Sequence, residues 1–163
     1  MKTNPMTFGA EVGMGDFKGV AEALQQRLLS HGFIIQRYDA LSTKSIYLKL
    51  DYGICNSIRI SDHKGKGHLN YMFNPGRDIR GFRRGKKGFV RYYYPFDAID
   101  EPVGHILRHR EAGRGRYGDA YDEAVERSRV VNRSAKGFRS ESYVVEPSVA
   151  TIDDGSGEGT LMT

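Results

Sequence analysis

Apolar and polar residues alternate in two regimes along this chain, first with the period of a helix and then with the period of a strand. Phe17, Val20, Ala21, Leu24 and Leu28 recur at three- and four-residue intervals and draw one apolar stripe along a helix. Asp16 stands where an N-cap belongs, and Gly32 follows the last turn, where a left-handed residue commonly ends a helix. Gln25, Gln26 and Arg27 fall to the polar side of this stripe. Gly19 weakens the helix by about 1 kcal/mol relative to Ala, which does not overturn the pattern.

After Gly32 the period becomes two. Residues 33–38, FIIQRY, are short, branched and aromatic and predict a first strand. A polar turn at 42–45 leads to strict alternation, with Ile46, Leu48 and Leu50 to one face and Tyr47 and Lys49 to the other. A turn around 51–56 precedes a strand at 57–61, with Ile58 and Ile60 inward and Arg59 and Ser61 outward. The basic loop HKGKG at 63–67 returns into HLNYMFN, where Leu69, Tyr71 and Phe73 share a face. Residues 89–94 predict a further strand ended by Pro95.

The remainder reads as helix with interruptions. Asp100 or Glu101 followed by Pro102 starts a short helix to about Arg110, and the glycines at 113, 115 and 118 are expected to break it. Asp119 caps a second helix through about Val131, whose thin apolar face of Tyr121, Ala124 and Val125 predicts loose docking. The expected architecture is α+β: an N-terminal helix packed on a small antiparallel β-meander, with short C-terminal helices and a disordered acidic tail. The expected organisation is a flexible arm over 1–15, a single domain over 16–131 containing a basic loop region at 76–91, and a linker with the tail over 132–163. SYVVE at 142–146 leaves open a strand added to the sheet edge.

Composition narrows the class. At 163 residues, with 39% hydrophobic and 28% charged residues, the chain suits one ordinary domain. No apolar run approaches the roughly 18 residues that span a bilayer, and the first residues lack a signal-peptide apolar core, so no membrane partner and an intracellular, cytoplasmic setting are expected. The single cysteine, Cys55, excludes an internal disulfide; at a turn with no helix N-terminus beside it, it reads as a small filler rather than a catalytic thiol. The net charge of +5 is unevenly spread. Arg77, Arg80, Arg83, Arg84, Lys86, Lys87 and Arg91 are opposed only by Asp78, whereas no Lys or Arg follows Arg139 and Glu141, Glu146, Asp153, Asp154 and Glu158 do. That asymmetry points to a polyanionic partner.

The basic segment is interleaved with glycines and with Phe82, Phe89, Tyr92, Tyr93 and Tyr94. Lys and Arg reach phosphates, glycine lets backbone come close, and flat rings take stacked, unpaired bases at roughly 1–3 kcal/mol each. The expected partner is DNA or RNA, or a nucleoprotein complex, bound by occupancy, with Lys64 and Lys66 extending the surface. Two alternatives stay open: an adaptor docking its basic loop on an acidic protein, and a metal-dependent nuclease using Asp51, Asp62 and His63, with His68 nearby. His105 and His109, four apart on a helix, have chelating geometry, but HILRH lacks the Glu of a zinc protease, and beside Arg108 and Arg110 they read as part of the basic surface. No phosphate-binding glycine loop, dinucleotide fingerprint or nucleophile elbow occurs, so no cofactor is expected.

One stretch carries a family resemblance. STKSIYLKLDYG followed by SIRISDHKGKGHLNYMFN, with Ile58, Arg59, Ser61 and His63 as its nearest matches and Asp62 at a position that takes either Asp or Asn, resembles small accessory proteins of bacteriophages and mobile elements. Among these are the basic anti-CRISPR inhibitors of Cas9 from streptococcal phages. The resemblance spans roughly 30 residues; unlike those inhibitors, this chain is longer, places its basic segment after the meander and adds an acidic tail. It implies an anti-defence or other phage accessory role.

Overall fold

A computed structural model describes residues 16–75, 78–80, 89–133 and 142–147. Helix α1 (Phe17–Ser30) begins where expected: Asp16 is extended and its carboxylate accepts the Lys18 N–H at 3.0 Å. It ends at Gly32, whose φ of +86° suits a residue without Cβ. Five antiparallel strands follow as a meander: β1 (Ile35–Ala40), β2 (Ser45–Leu50), β3 (Ser57–Ser61), β4 (His68–Phe73) and β5 (Val90–Tyr94). A sixth, β6 (Tyr143–Val145), pairs antiparallel with β1, giving the sheet order β5-β4-β3-β2-β1-β6. The architecture is α+β as predicted. Tyr143–Val145 is not disordered tail: SYVVE completes the sheet, with Val145 opposite Ile35.

Because side chains alternate along strands, the register sorts every sheet position to one of two faces. Ile46, Leu48 and Leu50 meet Ile60, Ile58 and Ile35, and the row continues through Leu69 and Tyr71. These residues join Val20, Ala21, Leu24 and Leu28 of α1 in one core. Burying each such side chain contributes roughly 1.5–3 kcal/mol. β1 starts two residues later than predicted; Phe33 is fully buried as an anchor just before the strand.

The C-terminal helices are longer and better docked than predicted. Helix α2 (Asp100–Tyr117) runs through Gly113 and Gly115, and only Gly118, at φ +57°, ends it. Helix α3 (Asp119–Arg133) follows directly. The local cost of two glycines is about 1 kcal/mol each relative to Ala. It is outweighed because Val103 and Ile106 enter the main core, and Tyr121 and Ala124 form a second cluster with Ile54 and Ile79. Tyr121 and Ala124 are buried, so α3 docks firmly although its apolar face is narrow.

Candidate nucleic-acid interface

Both α1 and α2 contribute to the core on one side of the sheet, so the other side is set by the alternate strand positions. Among the described residues, no helix packs there. Register brings Tyr38, Tyr47, Arg59, Asn70 and Tyr93 into a single row, one from each of β1 to β5. Four interstrand steps of about 4.8 Å give this row a width of about 19 Å. A parallel row holds Gln36, Lys49, Ser57, Met72 and Arg91, and a third holds Ser45, Ser61 and His68. None of these positions is acidic. Asp39, the one carboxylate within β1 to β5, is opposite Ile46 on the helix side, where it pairs with Arg37.

Arg59 is the best-placed cation on this face. Its Nε donates to Ser45 Oγ at 3.2 Å and its Nη2 to Ser61 Oγ at 3.3 Å, while its guanidinium lies 5.8 Å from the Tyr47 ring centroid. Tyr47 in turn stacks on Tyr38, with centroids 6.1 Å apart and planes 24° apart. Hydroxyls fix the guanidinium without neutralising it, and among the described residues no carboxylate pairs with Arg59. The contrast with Arg37, Arg80 and Arg110 is instructive, since each of those has a carboxylate partner. A half-buried, oriented and uncompensated guanidinium suits an anion or a base edge.

Two amide oxygens on the same face have no hydrogen-bond partner: Asn70 Oδ1, between Arg59 and Tyr93, and Gln36 Oε1, whose amide nitrogen donates to Ser142 Oγ at 2.8 Å. Both side chains are buried. An unmet buried acceptor costs about 1–3 kcal/mol, and few native residues carry that cost. Tyr38, Tyr47, Arg59 and Asn70 were outside the predicted site. Strict alternation and the meander order carried the signal: outward positions on adjacent strands line up once the strands are paired.

The predicted basic segment connects β4 to β5. Of it, Arg77, Phe82, Arg83, Arg84, Lys86 and Lys87 lie outside the described residues. Arg80 is exposed, pairs with Asp78 at 3.1 Å and lies 5.3 Å from the Tyr117 ring centroid, while Ile79 is buried under α3 and its carbonyl accepts from Arg127 at 2.9 Å. Arg91 and Tyr93 reach the open face, and Tyr93 is 62% exposed. Alternation turns Tyr92 and Tyr94 to the opposite face, where Tyr92, still exposed, stacks on Phe73 at 5.8 Å with planes 7° apart. Phe89 is exposed just before β5. Lys64 and Lys66 are exposed on the 3₁₀ turn after β3, at the end of the strands opposite the basic connection.

The histidines do not extend the basic surface. His105 Nδ1 lies 2.7 Å from Tyr94 Oη and His109 Nδ1 lies 3.0 Å from Tyr71 Oη, with the two imidazoles 4.5 Å apart among Tyr71, Phe73 and Tyr92. Burial, reinforced by Arg108, holds both below the usual imidazole range, with the neighbouring His105 also acting on His109. They are neutral packing groups at physiological pH. Arg110 is likewise inside, bound to Asp51 rather than displayed.

The residues of the nuclease alternative are not brought together. Asp51 is buried between β2 and β3, accepting from Arg110 Nε at 3.0 Å, Tyr121 Oη at 2.6 Å and the Ile34 N–H at 3.1 Å. Asp62 and His63 lie at the other end of β3, where the Asp62 N–H donates to Lys44 O. The length of β2 separates the two ends by on the order of 20 Å, too far to share one metal ion. Among the described residues no group of three or more metal-ligating side chains assembles. Cys55 is buried, its thiol pushed up to about 12 chiefly by burial and then by Asp51, consistent with a filler. No described helix is long and apolar enough to cross a membrane.

Comparison with known proteins adds no relative: no family model matches the chain, and no curated protein or solved structure does.

Proposed function

We propose that this protein binds single-stranded nucleic acid across the open face of its sheet, acting by occupancy. The observation that carries the reading is the Tyr38–Tyr47–Arg59–Asn70–Tyr93 row: rings and an unpaired guanidinium side by side on a face without a carboxylate. Tyrosine rings offer stacking surfaces for unpaired bases, and a flat sheet does not enter a duplex groove as a helix does. Arg91 places a second cation beside the row, Lys64 and Lys66 add positive charge at one end of the strands, and the sequence joining β4 to β5 is itself basic. The IRIS strand of the phage-protein resemblance is β3, whose Arg59 and Ser61 face outward. A phage or mobile-element accessory role, anti-defence among them, is the setting that resemblance supports.

The test is fluorescence anisotropy with labelled single strands of DNA and RNA, and with duplex, across a salt series. Single strands should bind more tightly than duplex. Arg59→Ala with Arg91→Ala should flatten the slope of log affinity against log salt by about 1.4, from roughly 0.7 per phosphate contact. Tyr93→Ala should lose affinity with little change in slope, by about 1–3 kcal/mol if one base stacks on it. Wild-type binding with an unchanged slope in the folded double variant refutes the assignment, and so does capture of protein partners without any nucleic-acid affinity.

A further inference from the structure

The open face holds an unmet hydrogen-bond acceptor that phosphate contact and stacking do not explain. Asn70 Oδ1 is buried without a partner, although its side chain stands between an outward guanidinium and an exposed ring. Phosphates offer acceptors only, so they cannot satisfy an amide oxygen. Water-exposed sugar and base edges differ in this respect. Every base presents N–H donors on its edge, and an Asn amide that accepts from one and donates to the neighbouring acceptor makes a bidentate pair.

Resting on the single-strand reading above, we infer that Asn70 is the base-reading residue of the interface, accepting an N–H from the edge of a base stacked on Tyr93. Arg59 is the neighbour of Asn70 in the row on β3, and its guanidinium is held toward β2 by Ser45, Ser61 and the Tyr47 ring, so it leaves the Asn70 amide to the strand's other neighbour, Tyr93. Tyr93 is the side chain with room to move, being 62% exposed on the edge strand, and its ring meets His68 at a centroid distance of 5.7 Å. A base stacked on this ring would bring its edge to the neighbouring position on β4, which Asn70 occupies. The second unmet oxygen, on Gln36, belongs to an amide already tied to Ser142 and lies three strands away.

The experiment compares adenine, cytosine and uracil homopolymers of about twelve nucleotides, within the usual span of such sites, on the full chain and on Asn70→Ala. Wild type is expected to favour one base over the weakest by about tenfold, the discrimination a bidentate amide pair typically gives. Asn70→Ala should compress that spread to about twofold while leaving the salt slope unchanged. Since Oδ1 has no partner to lose, its removal should not lower the melting temperature; Asn70→Thr, which suits a strand, repeats the measurement if it does. A variant that keeps the wild-type preference, or a wild type that binds all three alike, overturns the base-reading role and leaves the single-strand reading standing. A wild type that binds none of the homopolymers overturns both.

Discussion

Asp51→Ala should be the most damaging single change outside the apolar core, for reasons of charge rather than volume. The carboxylate is 1% exposed and receives three kinds of donor: the Arg110 guanidinium at 3.0 and 3.4 Å, the Tyr121 hydroxyl at 2.6 Å and the Ile34 backbone N–H at 3.1 Å. Arg110 also donates to the His31 and Gly32 carbonyls at the end of α1 and lies 4.0 Å from the Phe33 ring centroid. One carboxylate therefore joins α1, the β2–β3 turn, α2 and α3. Removing it leaves a guanidinium buried with carbonyls alone, and a buried tyrosine hydroxyl without its acceptor. Breaking a buried pair from one side costs about 3–5 kcal/mol, against a total stability of about 5–15 kcal/mol for a domain. At about 2–4 °C per kcal/mol for a chain of this size, the melting temperature should fall by about 6–20 °C.

Urea or thermal denaturation followed by far-ultraviolet circular dichroism measures this directly. Arg110→Met, which keeps a long apolar stem against Phe33, completes a double-mutant cycle. If the damage comes from stranding a charge, the double variant should be more stable than the sum of the single losses by about 1–3 kcal/mol. A loss below about 1 kcal/mol in Asp51→Ala, or strict additivity with Arg110→Met, would refute the reasoning.

Gly115→Ala should raise stability by about 0.5–1 kcal/mol, because an added Cβ meets no atom within 4 Å and the helix gains a better former; an unchanged or lower denaturation midpoint would contradict this. The histidine layer predicts a pH effect of definite sign. Folded imidazoles held below their ordinary value bind fewer protons than unfolded ones, so stability is full above about pH 6.5 and falls as pH drops through that value toward the folded pKa. Replacing both His105 and His109 with Gln should flatten the dependence of melting temperature on pH between about 5 and 7, and an equally steep profile in that variant would exclude them as its source.

The core was legible because alternation alone determines it: Ile46, Leu48, Leu50, Ile58, Ile60 and Leu69 are all buried, as their spacing requires. What spacing could not show was pairing between distant elements. Asp51 looked like turn chemistry or a metal ligand, because its partners Arg110 and Tyr121 follow 59 and 70 positions later. Gln25 sits on the polar side of the α1 stripe, yet it is buried, since Arg37 on the neighbouring strand needs its Oε1 at 2.9 Å. The extent of α2 was misjudged for the same reason. Glycine penalties are local, whereas the contacts of Val103, Ile106 and Tyr121 that overcome them are not. The candidate site was half legible: Arg91 and Tyr93 stood out in a basic run, while Arg59 and Asn70 acquire meaning only when β3, β4 and β5 are in register.

The two faces of β4 and β5 are structurally linked through the strands they share. Asn70, Arg91 and Tyr93 point to the open side, and Tyr71, Tyr92 and Tyr94 on the same two strands point to His105 and His109 of α2. β5 is an edge strand with one hydrogen-bonded neighbour, and such strands fray unless something covers one face. The tyrosine–histidine layer is that cover. It holds the edge strand against α2 through rings and hydroxyls, leaving the outward positions free of apolar residues that would otherwise be needed for packing. An exposed tyrosine on a backed edge strand combines a fixed backbone with a ring free to turn, which is the combination a stacking site on the rim of a sheet requires.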